Sequence, residues 1–330
     1  MSISQISAKQ NSISIGKLRG LQQCTTIRGT FTCLALDHRQ NLRRALNPAD
    51  PGSVSDLDLT RFKLDVTAAL AGSATAVLLD PQFSAAQAIA DGVLPGQIAL
   101  VVAVESTGYA GEPTARQSQI LPGWSVEKAR RMGASMIKLL VYYHPDSPTA
   151  GEIETFVRQV AQECTRLDFG LMLEPLSYSL VADKKLTPAE KRHVVTETAR
   201  RLTVPGVDVL KAEFPLDRAA DPLESDWARA CGEISSASRA PWILLSAALD
   251  FDPYLRQVKV ACQAGASGCA VGRAVWQEAV GLTGQVRATF LREVARPRLE
   301  TLANLCSELG RPWTDFYAPP AITPDWYRNY

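Results

Sequence analysis

Apolar positions fall along this chain as eight short, nearly continuous runs, each separated from the next by a longer stretch of mixed polarity. The runs are FTCLALD (31–37), TAVLLD (75–80), IALVVAVE (98–105), SMIKLLVYY (135–143), FGLMLE (169–174), VDVLKAE (207–213), PWILLSA (241–247) and GCAVGR (268–273). Runs without apolar–polar alternation are the signature of strands buried on both faces, as in a parallel sheet. Between them lie amphipathic, helix-like segments such as 57–70, 125–133, 150–167, 186–202 and 252–265. Thr187-Pro188-Ala189-Glu190 and Asp252-Pro253 read as helix starts, and Gly133 and Gly265 as helix ends. Eight strand–helix alternations predict an α/β fold closed as a (β/α)8 TIM barrel rather than an open doubly wound sheet. The pattern assigns residues 31–315 to one barrel domain, 1–30 to an N-terminal extension and 316–330 to a tail rich in proline and aromatics. Such a tail is expected to pack over an outer surface or a neighbouring subunit, which points to a homo-oligomer.

The polar residues that close the runs then matter more than their separation suggests. Asp37, Asp80, Glu105, Tyr142, Glu174, Glu213, Ser246 and Arg273 end successive strands, and in a barrel these ends share the face that carries the chemistry. Lys211 lies inside the sixth run, with the parity of Val207, Val209 and Glu213, and Lys138 holds a similar interior place in the fourth. Two amines facing one interior lower each other's pKa, and desolvation adds to this, so the pair has the logic of a Schiff-base site. The alternative is that each lysine pairs with a carboxylate such as Glu174 or Glu213, the former also being able to move protons. Asp37, His38 and Arg39 follow the first strand, where Arg39 either holds a distal anion or is a satisfied surface residue. Ser246 and the Gly272-Arg273 pair close the last two strands, the usual phosphate position of a barrel.

Composition narrows the class. Net charge is +1, so no basic footprint for nucleic acid or for a membrane surface is expected. No apolar run nears the roughly 20 residues needed to span a bilayer, and MSISQISAKQNSISIGKLRG has no signal-peptide core. The seven cysteines show no CxxC spacing and read as buried, reduced thiols of a cytoplasmic protein. His38, His144 and His193 lack zinc-ligand spacing, and no GxGxxG, Walker loop or serine elbow occurs. Neither a metal nor a cofactor is expected.

With Lys211 in VDVLKAEFP, Glu174 in LMLEP, Lys138 in MIKLLVYY and ALDHR after the first strand, the chain resembles the class I tagatose-1,6-bisphosphate aldolases. LLDPQF (78–83), ESTGY (105–109), Trp124-Ser125 and LLSAALD (244–250) extend the likeness, and AGASGCAVGRAVWQEAVGL (264–282) is similar to 6-deoxy-6-sulfofructose-1-phosphate aldolases. The resemblance implies a Schiff base on Lys211, a proton shuttle at Glu174 and Lys138 beside them. It further implies that Asp37 touches substrate hydroxyls and that Ser246, Gly272 and Arg273 hold the C1 phosphate of a sugar-phosphate substrate. It departs at His38 and Gln40 (usually Gln and a small residue), at Ser106 (often Lys) and at Ala248 (usually Gly). The first of these leave the far end of the sugar open between a phosphate and a sulfonate. A silent, sugar-phosphate-binding regulatory barrel is the alternative outside enzymology.

Overall fold

The computed structural model describes residues 11–330, the Asn329 side chain excepted. All eight expected strands form: β1 (Phe31–Ala35), β2 (Ala76–Leu79), β3 (Ala99–Ala103), β4 (Met136–Tyr142), β5 (Gly170–Leu176), β6 (Val209–Ala212), β7 (Trp242–Leu245) and β8 (Gly268–Val271). Each pairs in parallel with the next and β8 pairs with β1, so the sheet closes into a barrel. Helices lie between the strands and cover the outer face, including Asp56–Leu70, Val126–Arg131, Ala150–Arg166, Pro188–Leu202 and Phe251–Gln263. Thr187 and Glu190 form a reciprocal capping box at one expected start. The start at Asp252-Pro253 falls one residue earlier, with Asp250 as N-cap. Gly133 and Gly265 adopt φ of +96° and +105° just beyond their helices, where a side chain would be strained.

Strand parity sorts the apolar residues into two layers. Leu34, Val77, Val102, Leu173, Leu210 and Leu244 face the helices. Phe31, Cys33, Leu78, Val101, Met136, Met172, Val209 and Ile243 fill the barrel. Val207 corrects the parity expected of it: it precedes β6 and packs in the outer layer. The interior continues downwards into residues outside the barrel, because Ile13, Leu21, Cys24, Trp313 and Tyr317 share the same cluster. Asn11–Ser12 pairs with Tyr317–Ala318, and the Tyr317 hydroxyl donates to the carbonyl of Asp208 at 3.1 Å. Helix Ile15–Gln23 thus plugs the N-terminal mouth, fixed by Lys17 Nζ, 2.8 Å from Asp208 and 2.9 Å from the Gly206 carbonyl.

Gly268 is where the backbone most needs glycine: at φ +138°, a Cβ would stand 1.9 Å from the Phe31 carbonyl oxygen. All seven cysteines are buried and unpaired. Among the described residues no helix is long and apolar enough to cross a membrane.

Candidate active site

At the C-terminal mouth the core residues give way to charge. The register sets Lys138 beside Met172, Glu174 beside Leu140 and Lys211 beside Ile243, so three inward-facing polar side chains stand just above the apolar fill. They line a cavity of about 590 Å³ that also takes in Asp37, His38, Arg39, Glu105, Ser246, Gly272 and Arg273. Of the polar strand ends and neighbouring residues named from the sequence, all but Asp80 reach this one cavity.

Glu174 links the two amines. One of its carboxylate oxygens lies 2.9 Å from Lys138 Nζ and 2.9 Å from Lys211 Nζ. Lys138, 1% exposed, also meets Asp37 and Glu105 at 2.8 Å each. The expectation of two mutually depressed amines is therefore corrected for Lys138. Burial by itself would depress its ammonium, but Asp37, Glu105 and Glu174 outweigh burial and hold it well above the usual lysine range. In return, burial of Asp37 and Glu174 is outweighed by the two lysines, and both carboxyls sit below the usual range. Lys138 is thus a fixed cation. Lys211, 4% exposed, has Glu174 as its single ionic partner among the described residues, and its amine opens onto the cavity.

Other strand ends divide between the cavity and its walls. Glu213 lines the cavity, but its carboxylate accepts the Ser177 N–H at 2.6 Å instead of pairing with a lysine. Asp80 turns away altogether: it pairs with the fully buried Lys63 and accepts the N–H groups of Gln82 and Phe83. That shapes the loop carrying Gln82, whose side chain accepts from Arg39 at 3.0 Å. Arg39 is neither on the surface nor free. It is 6% exposed and also donates to the Glu105 carbonyl at 2.8 Å. Glu105 is the functional group that a reading of the lysines alone passes over, although it closes its strand with the parity of Val101 and Ala103. It binds Lys138, accepts the Leu140 N–H at 3.0 Å and lies 3.7 Å from Arg39.

Across the mouth the groups are less satisfied. Ser246 Oγ accepts the Gly272 N–H at 3.3 Å. Gly272 is needed for close approach, since a Cβ there would come within 2.9 Å of the Ala35 carbonyl and 3.0 Å of the His38 ring. The Nε of Arg273 and the Nδ1 of His38 have no hydrogen-bond partner. Burial lowers the pKa of both, His38 to about 4, so the imidazole is neutral at pH 7. A half-buried guanidinium with an unmet donor, next to a serine hydroxyl and a glycine without a side chain, is arranged to receive an oxyanion.

The chain is 29% identical over 329 residues to a tagatose 1,6-diphosphate aldolase of Listeria monocytogenes, covering 92% of this chain and 96% of that one. Its fold is shared with a fructose-bisphosphate aldolase from Plasmodium falciparum (TM-score 0.69, 14% identity, 93% and 99% of the two chains). It is shared too with an archaeal fructose-1,6-bisphosphate aldolase whose catalytic lysine was captured covalently bound to a carbinolamine (TM-score 0.57, 21% identity, 87% and 98%). Residues 31–278, from the first strand to just past the eighth, match the family model of the DeoC/LacD aldolases, and the chain belongs to that family.

Proposed function

We propose that the protein is a Schiff-base aldolase that cleaves a ketose 1,6-bisphosphate of the tagatose type into dihydroxyacetone phosphate and glyceraldehyde 3-phosphate. The observation that carries this reading is the sharing of Glu174 by one lysine locked among three carboxylates and a second, Lys211, that is not. The tagatose-specific name of a 29%-identical relative and the captured carbinolamine of a structural neighbour support it.

Lys211 Nζ adds to the C2 carbonyl of the open-chain sugar, and loss of water from the carbinolamine leaves a protonated imine. That imine draws electrons from the C3–C4 bond once the C4 hydroxyl proton is removed. Glu174 is the base within reach. Because Lys138 stays charged, the basicity of Glu174 is governed by the charge state of Lys211, which couples the shuttle to the nucleophile. Bond cleavage releases the aldehyde and leaves an enamine. Reprotonation at C3 and hydrolysis then free dihydroxyacetone phosphate and the lysine. Asp37, held by Lys138, faces the substrate hydroxyls, and Ser246, Gly272 and Arg273 take the C1 phosphate.

The test is intact mass after incubation with dihydroxyacetone phosphate and sodium borohydride, followed by peptide mapping. A reduced adduct on Lys211, absent from Lys211→Ala, is the expected result. A folded protein that gains no mass overturns the Schiff-base reading and leaves a barrel that only binds sugar phosphates.

A further inference from the structure

The end of the barrel opposite Lys211 carries a surface that neither the plug nor the chemistry uses. Beside the helix Ile15–Gln23 lies an open hollow of about 610 Å³, whose apolar lining is Leu18, Ile27, Trp313, Tyr317 and Pro319. Trp313 and Tyr317 belong to the inner core cluster, so the apolar fill of the barrel continues to the floor of this hollow. Ile27 stands on its rim, wholly open to solvent and the most exposed large apolar side chain among the described residues. The turn that carries it is fixed. The Gly29 N–H donates to the Thr26 carbonyl at 2.9 Å, the Gly29 carbonyl accepts the Trp313 N–H at 3.0 Å, and the Thr26 and Thr30 hydroxyls meet at 2.8 Å. The Trp313 indole also donates to Thr25 Oγ1 at 3.2 Å. A turn tied in this way keeps Ile27 from folding back into its own hollow, at a position where polar residues ordinarily stand.

The tail extends the same surface. It runs from Pro319 at the hollow to Tyr330, whose hydroxyl donates to Asp168. Asp168 also accepts the Gly16 N–H at 2.7 Å, at the start of the same helix Ile15–Gln23. Ile322, Trp326, Tyr327 and Tyr330 are all exposed along this path. One exposed apolar residue needs no explanation, but several gathered at one end of a barrel mark an interaction site. The charges among them cancel locally, Arg311 with Asp315 at 3.0 Å and Arg328 with Asp325 at 3.5 Å.

We propose that this face binds a second copy of the chain about a two-fold axis, with Ile27 of each protomer entering the hollow of the other. A two-fold contact joins a patch to itself, so the patch must carry both the projection and the recess that receives it. Ile27 and the hollow are that pair, side by side. Such a face must also not repel its own copy, and the pairing of Arg311 and Arg328 within the protomer removes charge that would do so. A standard interface takes about 20–30 residues from each side, which residues 15–30 and 311–330 can supply. Lys211 opens at the far end of the barrel, so pairing leaves it free for substrate. The inference stands apart from the aldolase reading, and it supplies the neighbouring subunit expected from the composition of the tail.

The experiment is sedimentation velocity at rising protein concentration on the full-length wild type, Ile27→Asp and Leu223→Asp. Leu223 is another exposed leucine, at the start of the helix Glu224–Ala237 and away from this face. The expected result is a dimer for the wild type and for Leu223→Asp, and a dissociation constant raised about 30-fold or more in Ile27→Asp. The far-UV circular dichroism of Ile27→Asp should match wild type, because Ile27 is solvent-exposed within the protomer. Amide hydrogen exchange in residues 18–29 and 313–319 should slow as wild-type concentration rises. A wild type that stays monomeric overturns the proposal. So does a dimer that Ile27→Asp leaves intact, or one whose exchange protection falls elsewhere. A mass that climbs without limit also overturns it, since open-ended growth means a head-to-tail contact in place of a two-fold one.

Discussion

Lys17 and Lys211 are equally buried, each 4% exposed, at opposite ends of one barrel. At the bottom, Lys17 is closed in by Asp208 and the Gly206 carbonyl, and Asp208 is in turn anchored by the Leu171 N–H at 2.8 Å. At the top, Lys211 has one carboxylate, shared with a second lysine, and a cavity in front of it. Burial of an amine therefore says nothing about chemistry. What separates a structural from a reactive lysine is whether its counter-charge is its own and whether a reactant can reach it.

The widest separation of the two comes from deleting each. Lys211→Ala is expected to lower turnover by about 10⁴-fold or more while the thermal midpoint stays within a few degrees of wild type. Lys17→Ala should do the reverse, since it strands Asp208 in the core. A loss of about 3–5 kcal/mol in urea unfolding is expected, with kcat per folded molecule unchanged. Converting the bottom pair to Lys17→Met/Asp208→Leu should restore most of that stability, because replacing both members removes the unpaired charge. A double variant as unstable as the single one would mean that the ion pair holds the plug by its geometry.

Lys138 tests the middle ground, buried like Lys17 yet inside the reactive cavity. Lys138→Met removes the charge that keeps Asp37 and Glu174 ionised, so their pKa values rise. The acid limb of the kcat profile is then expected to move to higher pH, with kcat at its optimum down by about 10²-fold. A limb that stays in place would show that Lys138 is structural, as Lys17 is.

His38 gives a smaller effect confined to the mouth. Folded His38 remains neutral down to about pH 4, whereas an unfolded imidazole takes up its proton near pH 6.5. Between these values the unfolded chain binds more protons, so stability falls as pH is lowered through that window. His38→Gln should flatten this acid slope by about 2 kcal/mol between pH 7 and pH 4, measured as the difference in urea midpoints. The smallest effect concerns strain. Ala247 and Ala248 have φ of +43° and +59° in the loop after β7, whereas the left-handed residue at the plug is Asp168. Aspartate tolerates that conformation better than alanine. Ala248→Gly should therefore stabilise the protein by about 0.5–1 kcal/mol, and Asp168→Gly should not.

Much of the top of the barrel was legible in the chain because a charged residue inside a buried strand has few explanations. Lys138, Glu174 and Lys211 each break an apolar run, and strand parity carries all three to one interior. Asp80 and Arg39 were harder, since their roles depend on Lys63 and Gln82, which come from other elements. Lys17 was not legible at all. Its partner lies 191 residues away, and a lysine in a polar N-terminal stretch carries no mark of burial.

The sequence by itself determined the period of the strands, hence the barrel, hence that the strand ends would share a face. That follows from local physics: side-chain alternation, continuous apolar runs, and caps and glycines at the helix ends. Only the tertiary structure decided which charges meet which. It gave Lys138 three carboxylates and Lys211 one, and it turned Glu213 to a backbone amide. Electrostatic pairing depends on distances of a few ångströms between groups separated by scores of residues, and no periodicity along the chain encodes those distances.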